Sequence, residues 1–185
     1  MTLVEQILEL HRQLDAAEPP HAFGGALALA YCTLEPRGTR DIDVNVFVGV
    51  DQIDELAAAL PTDTVVTDMN RPELERDGQS RLWWGDTPVD VFLSNHPFHD
   101  HAAANRRCVP LAGVDDLPVL ACADLAVLKA FYARPKDAVD VATMAAAGAI
   151  DVDNVEAQVS MLLGDESTRA DFFARVRDDV ERMSG

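Results

Sequence analysis

The first seventeen residues place apolar side chains at intervals of three and four positions, which is the spacing of one helix face. These side chains belong to Leu3, Ile7, Leu10 and Leu14. The spacing predicts an amphipathic helix over residues 3–17, and Pro19-Pro20 ends it because proline cannot continue a helix. A short strand over residues 21–23 follows, and a Gly24-Gly25 turn separates it from a helix over residues 26–31.

The middle of the chain holds short runs of β-branched and aromatic residues, a pattern typical of strands. The predicted strands cover residues 43–48, 64–67, 81–84 and 89–93, and a helix over residues 52–60 follows the first of them. The segment Gly85-Asp86-Thr87-Pro88 predicts a hairpin turn between the last two strands.

After Leu120 the pattern becomes helical. The predicted helices cover residues 123–134, 137–147, 153–163 and 166–183. We therefore predict an α/β protein of the α+β type, in which residues 1–120 form a mixed β-sheet flanked by helices. Residues 121–185 then form a C-terminal helical subdomain.

Composition narrows the functions that fit this fold. The net charge of −17 disfavours extensive contact with nucleic acid, because phosphates need basic partners. Both lysines of the chain, Lys129 and Lys136, lie in one eight-residue stretch, which draws attention to that segment.

The chain also carries signals about its compartment. No apolar run reaches the roughly 18 residues of a membrane span, and the first residues lack the basic region of a signal peptide. We therefore expect a cytoplasmic protein with no membrane partner. Cys32, Cys108 and Cys122 are odd in number and widely spaced, so we expect reduced, mostly buried thiols rather than disulfides or a zinc site.

Two aspartates stand two positions apart at the start of the first central strand. On an extended chain Asp41 and Asp43 point to the same face, while Ile42 points to the opposite one. Neighbouring carboxylates repel each other unless a cation lies between them, and Mg²⁺ binds carboxylate and phosphate oxygens together. A bare Asp-x-Asp pair is more often a solvated loop, but this one opens an apolar strand and follows the glycine turn.

A third carboxylate, Asp90, stands inside the apolar run Val89-Asp90-Val91-Phe92. It either faces solvent on a half-buried strand or has a partner, because burying an unpaired charge is costly. Three aspartates on neighbouring strands can hold two divalent ions for nucleotidyl transfer, and the third can accept the proton of an attacking hydroxyl. The backbone N–H groups of the glycine turn would bind phosphate oxygens.

The order of these motifs resembles the DNA-polymerase-β-like nucleotidyltransferases, and more narrowly the AbiEii and MenT group of nucleotidyltransferase toxins. The resemblance covers residues 22–141. Its motifs are Gly24-Gly25, Arg37-x-Thr39-x-Asp41-Ile42-Asp43, Val89-Asp90-Val91, Leu125-Ala126-Val127-Leu128-Lys129 and Lys136-Asp137-Ala138-Val139-Asp140. The Asp-x-Asp context points to the superfamily, and the lysine motifs point to the toxin group.

The resemblance implies a nucleotidyltransferase core with Mg²⁺ or Mn²⁺ as cofactor and an NTP as substrate. The metal ligands that it implies are Asp41, Asp43 and Asp90, which are also catalytic together with Lys129. The nucleotide-binding residues that it implies are Gly24, Gly25, Arg37, Thr39, Lys129, Lys136 and Asp140. It further implies transfer of NMP, often from CTP, to the 3′ acceptor end of tRNA, which blocks translation.

In such a toxin–antitoxin system a cognate antitoxin, kinase-like in some members, restrains the toxin. The resemblance makes Thr39 a candidate for regulatory phosphorylation, and a turn hydroxyl that caps its own loop is the alternative. The acceptor can instead be a small hydroxyl compound, such as an antibiotic, or a protein, and the acidic charge fits a small compound better than RNA. A non-catalytic relative that binds nucleotide or a partner protein is a further class.

Other motifs have two interpretations each. Lys129 either contacts triphosphate or extends to solvent beside its apolar neighbours, and Lys136, Asp137 and Asp140 can form a surface ion-pair cluster. The cluster His96, His99, Asp100 and His101 lacks the spacing of a zinc motif and predicts the polar start of an alanine-rich helix. Of the adjacent pair Trp83-Trp84, at most one can stack on a base, because neighbouring strand residues face opposite sides.

Overall fold

The computed structural model describes residues 1–164 and 169–185. Within these ranges the helices are α1 (Leu3–Ala16), α2 (Gly25–Thr33), α3 (Ile53–Ala59), α4 (Asn70–Asp77), α5 (Phe98–Asn105), α6 (Cys122–Tyr132), α7 (Pro135–Ala146), α8 (Val152–Leu163) and α9 (Ala170–Ser184). The strands are β1 (His21–Phe23), β2 (Ile42–Val46), β3 (Thr64–Val65), β4 (Gln79–Trp84), β5 (Thr87–Leu93), β6 (Arg107–Leu111) and β7 (Val114–Val119). Glu166, where the last predicted helix begins, lies outside the described residues.

The strands form one mixed sheet in the order β3-β4-β5-β2-β1-β7-β6. Two neighbouring pairs, β2 with β5 and β1 with β7, are parallel, and the other pairs are antiparallel. The prediction of a mixed sheet followed by C-terminal helices is confirmed.

The chain divides into two compact units. The first contains residues 1–27 and 37–120, including the whole sheet, and the second contains residues 28–36 and 121–185. Residues 28–36, which the sequence placed in the first 120 residues, thus group with the C-terminal helices.

One face of the sheet forms the core of the first unit. Val44, Val89 and Val91 alternate along β2 and β5 with polar residues and are almost fully buried. The N-terminal helix α1 begins with a capping box between Thr2 and Glu5 and buries an apolar stripe that includes Leu10. The helix confirms the prediction from apolar spacing, whereas the capping box was not predicted.

In the second unit, α7 and α9 pack against each other through buried apolar side chains. Val141 and Met144 of α7 and Phe173 and Val176 of α9 are inaccessible to solvent. Arg169, just before α9, donates hydrogen bonds to the backbone carbonyls at the end of α6. Among the described residues, no helix combines the length and apolar character that a membrane crossing needs.

The expectation of three reduced thiols is wrong for two of the cysteines. Cys32, near the end of α2, and Cys122, at the start of α6, form a disulfide across a separation of 90 residues. Cys108 carries an exposed thiol. Spacing alone hides such a pairing, because the fold and not the sequence separation decides which cysteines meet.

Candidate active site

Cross-strand register places three charged side chains in one row across the sheet. Asp43 of β2 is opposite Asp90 of β5, and Asp90 is in turn opposite Arg81 of β4. We call these three residues the charged row. Their strand neighbours point to the apolar core, so the charged row lies on the other, more accessible face of the sheet.

Asp41 stands directly before β2, two positions from Asp43, and is held by its own loop. The hydroxyl of Thr39 donates a hydrogen bond to the Asp41 carboxylate, and the Asp41 backbone N–H donates to the same hydroxyl at 3.4 Å. Thr39 therefore orients the Asp41 side chain. Arg37, earlier in this loop, is exposed.

The glycine turn and Asp43 are built against each other. The backbone N–H of Gly24 donates to the backbone carbonyl of Asp43 at 2.9 Å. Gly25 has φ +50°, and a Cβ at this position would overlap the Asp43 carboxylate and lie 2.9 Å from its Cβ. Only glycine satisfies both the backbone angle and the close approach. The turn thus fixes where the Asp43 carboxylate can lie.

Arg81 supplies a cation to these carboxylates. Its Nε and Nη2 donate parallel hydrogen bonds of 2.7 Å to the two oxygens of Asp90. Its Nη2 also lies 3.8 Å from Asp41 Oδ2. The hydrogen bonds to Asp90, followed by the charges of Asp90, Asp41 and Asp43, raise the pKa of Arg81 above its usual value. A permanent positive charge is therefore bound where three negative charges converge.

Arg81 is not among the site residues predicted from the sequence, although the sequence carries a signal for it. The predicted turn covers four residues, 85–88, and would put Arg81 opposite Phe92. In the structure Trp84 pairs with Thr87, so the turn is only Gly85-Asp86 and Arg81 pairs with Asp90. A two-residue turn is the commonest hairpin connection, and assuming it would have found the pair.

The donor set fits a divalent cation. Carboxylate oxygens are the protein ligands that Mg²⁺ prefers, and the guanidinium of Arg81 shows that these carboxylates attract positive charge. Asp41, Asp43 and Asp90 would hold the ion. Nevertheless, across residues 1–164 and 169–185 no three acidic, histidine or cysteine side chains are already gathered as a metal site.

A second charged cluster lies in the C-terminal unit. The Lys129 ammonium, only 6% exposed as a side chain, is 2.6 Å from Asp140 Oδ2 and 3.5 Å from Asp137 Oδ1. Asp137 also accepts hydrogen bonds from Arg134. The two aspartates are buried rather than on the surface, whereas Lys136 is exposed on the first turn of α7.

The tryptophan pair and the histidine cluster are the remaining motifs. Trp84 is buried, whereas Trp83 is 51% exposed and, two positions from Arg81, lies on the same face of β4. The histidine cluster starts α5 as predicted: His96 Nδ1 accepts from the Phe98 N–H, and His99 Nδ1 lies 3.2 Å from the His96 carbonyl oxygen.

The mixed sheet, with its parallel β2–β5 pair and C-terminal helices, has a nucleotidyltransferase-like fold. The crystal structure of ANT(2'')-Ia in complex with adenylyl-2''-tobramycin matches with a TM-score of 0.62 and 15% identity, over 96% of this chain and 98% of that chain. The solution structure of the antibiotic-resistance factor ANT(2'')-Ia matches with a TM-score of 0.56 and 15% identity, over 87% and 91% of the two chains.

The crystal structure of JHP933 from Helicobacter pylori matches with a TM-score of 0.46 and 11% identity, over 97% of this chain and 91% of that chain. No protein-family model matches the sequence, and no curated protein matches it significantly. The similarity to the two ANT(2'')-Ia structures shows the fold.

Proposed function

We propose that this chain is a metal-dependent nucleotidyltransferase that moves NMP from an NTP to a hydroxyl group of a small, positively charged acceptor. The observation that carries the proposal is the register of Asp43 beside Asp90, with Asp41 adjacent and the glycine turn packed on Asp43. This arrangement joins a cation-attracting carboxylate set to a backbone turn that can receive phosphate.

Different residues of the chain would bind the metal ion, accept the proton and contact the phosphate. Asp41, Asp43 and Asp90 would hold Mg²⁺ or Mn²⁺, which neutralises the charge of the triphosphate. The acceptor oxygen forms a bond to the α-phosphorus as the bond to pyrophosphate breaks, and Asp90 takes the hydroxyl proton. The Gly24 N–H already donates to the backbone carbonyl of Asp43. The N–H of Gly25 is therefore the one that would contact phosphate.

The predicted nucleotide contacts outside the carboxylate set remain part of the proposal. They are Arg37, Thr39, Lys129, Lys136 and Asp140. Because the Lys129 ammonium is paired with Asp140 at 2.6 Å, contact with triphosphate requires that pair to open. The Thr39 hydroxyl donates a hydrogen bond to the Asp41 carboxylate, so its effect on nucleotide binding includes the orientation of Asp41.

Charge and similarity favour a small cationic acceptor. A net charge of −17 attracts cations and repels polyanions. The structure of ANT(2'')-Ia, which matches nearly the whole chain, contains an adenylylated tobramycin. Aminoglycosides such as tobramycin are therefore the acceptor class to test first.

A second candidate is transfer to the 3′ end of tRNA by a toxin whose cognate antitoxin restrains it. The resemblance of the Lys129 and Lys136–Asp140 motifs favours it, and the net charge opposes it. A phosphate on Thr39 would remove the hydroxyl that donates to the Asp41 carboxylate, and its negative charge would repel the triphosphate of the NTP. This gives an antitoxin kinase a direct route to inhibition.

The test incubates the protein with each α-labelled NTP, Mg²⁺, and either tobramycin or total RNA. We expect label on tobramycin from the wild type and from Asp86→Asn, an exposed turn residue, and none from Asp43→Asn. Label on tRNA alone would replace the proposal with the toxin hypothesis. No transfer to either acceptor or to protein, together with no metal binding, would favour a non-catalytic relative.

A further inference from the structure

The guanidinium of Arg81 hydrogen-bonds to the carboxylate of Asp90, which under the proposed function binds the metal ion and accepts a proton. Each oxygen of Asp90 accepts one of its hydrogen bonds, both at 2.7 Å. This parallel arrangement is the strongest geometry that arginine forms with a carboxylate. The lone pairs that would bind a divalent cation at Asp90 therefore point at Arg81 instead.

We propose that Arg81 is a positioning residue that occupies Asp90 in the metal-free protein and must leave it before Asp90 can bind Mg²⁺ or Mn²⁺. Arg81 thereby sets the metal affinity of the site. The inference rests on the proposed function only in assigning Asp90 to the metal site, and it concerns binding rather than transfer.

The exposure of the partners makes this contact reversible. The Arg81 side chain is 52% exposed, whereas that of Asp90 is 21% exposed. A long, half-exposed side chain can turn into solvent, where water hydrogen bonds replace those that its guanidinium made to the carboxylate. Asp90, fixed on the central strand β5, stays in place. The side chain that moves is therefore that of Arg81.

Arg81 also lies close to a second carboxylate of the candidate metal site, that of Asp41. Its Nη2 is 3.8 Å from Asp41 Oδ2 while it holds Asp90. One guanidinium thus balances two of the three carboxylates that converge there.

A simple structural ion pair is the competing explanation, and the chain offers a matched control for it. Arg76 forms the same two-pronged pair with Asp77, with Nε at 2.9 Å and Nη2 at 2.5 Å from its oxygens. This pair lies at the end of α4 on an exposed surface. Arg76→Gln therefore removes the same charge and the same geometry without freeing Asp90.

The experiment measures Mn²⁺ binding to the nucleotide-free protein by electron paramagnetic resonance. We expect Arg81→Gln to bind Mn²⁺ about tenfold more tightly than the wild type, because it removes a partner of Asp90 and a nearby positive charge. Arg81→Lys keeps the charge but not the parallel fork, so its affinity should fall between the two. Arg76→Gln should match the wild type.

A second set of variants ties the effect to Asp90. In an Asp90→Asn background, Arg81→Gln should change Mn²⁺ affinity by less than about threefold, because the contact that it releases is already lost. As an independent readout, the Mg²⁺ concentration for half-maximal transfer should fall in Arg81→Gln by the same ratio as the Mn²⁺ dissociation constant.

Equal Mn²⁺ affinity in Arg81→Gln and the wild type, weaker binding in Arg81→Gln, or an equal gain in Arg76→Gln would overturn the inference. So would the absence of Mn²⁺ binding in every variant. If Arg81→Gln tightens binding but no acceptor is labelled, the proposed function fails and the inference stands. If the wild type labels tobramycin but Mn²⁺ affinity is the same in Arg81→Gln and the wild type, the inference fails and the proposed function stands.

Discussion

Substituting Gly25 by alanine tests whether the glycine turn positions the carboxylate of Asp43, which we propose to be catalytic. Gly25 has φ +50°, and the added Cβ would overlap the carboxylate of Asp43. Its distance to the Asp43 Cβ would be 2.9 Å, shorter than real Cβ contacts reach. Asp43 therefore has to move, and its side chain has to rotate away from the turn.

The substitution should lower both the folding stability and the rate of transfer. Holding alanine in the left-handed region costs about 1–2 kcal/mol of stability. A catalytic group displaced by about 1 Å can lose about a hundredfold in rate. We therefore expect Gly25→Ala to remain folded but to transfer NMP about a hundredfold more slowly than the wild type.

The matched control is Gly85→Ala in the β4–β5 turn. Gly85 has φ +61°, and its added Cβ meets no atom within 4 Å. It therefore carries the backbone strain without displacing Asp43. Steady-state transfer kinetics and urea unfolding of both variants separate the two costs. Gly25→Ala with a transfer rate equal to that of Gly85→Ala would refute the role given to the turn.

Three further predictions concern stability. Lys129→Met should lower the free energy of unfolding by about 3 kcal/mol or more in urea titrations, because it removes the ammonium that pairs with the buried carboxylates of Asp137 and Asp140; an unchanged value would contradict the buried cluster. Reduction of the Cys32–Cys122 disulfide, or serine at both positions, should lower the free energy of unfolding by about 4 kcal/mol, because the bond closes a loop across 90 residues. Counting free thiols before and after reduction checks that the bond is present. Burial holds the pKa of His21 below its usual 6.5, so the unfolded chain takes up this proton more readily and stability should fall as the pH drops below about 6.5. His21→Gln should flatten this part of the pH profile, and a profile identical to that of the wild type would show that His21 does not contribute.

Sequence patterns predicted the elements whose periodicity is strong. The apolar stripe of α1, the strand that starts at Ile42 and the C-terminal helices all follow from side-chain spacing. The polar helix α4 was not predicted, because Pro72 and its charged residues obscure the helical signal. The strands β6 and β7 were missed because Pro110 and the pair Asp115-Asp116 interrupt their apolar pattern.

The candidate site shows the same division between local and long-range information. Spacing alone placed Asp41 and Asp43 together, but the contact between Gly25 and Asp43 depends on how β1 and β2 pair. The pairing of Arg81 with Asp90 depends on a turn two residues shorter than expected. Register therefore decides which charges meet, and it must be known before a site can be assembled from sequence.

The most direct test of the central claim is the rate of pyrophosphate release from NTP in the presence of tobramycin and Mg²⁺, compared between the wild type and Asp43→Asn. We expect acceptor-dependent release by the wild type and none by Asp43→Asn, although the variant should melt at the wild-type temperature or above because a repelling charge is gone. Acceptor-dependent release that persists in a folded Asp43→Asn protein would show that nucleotidyl transfer does not depend on the Asp43 carboxylate.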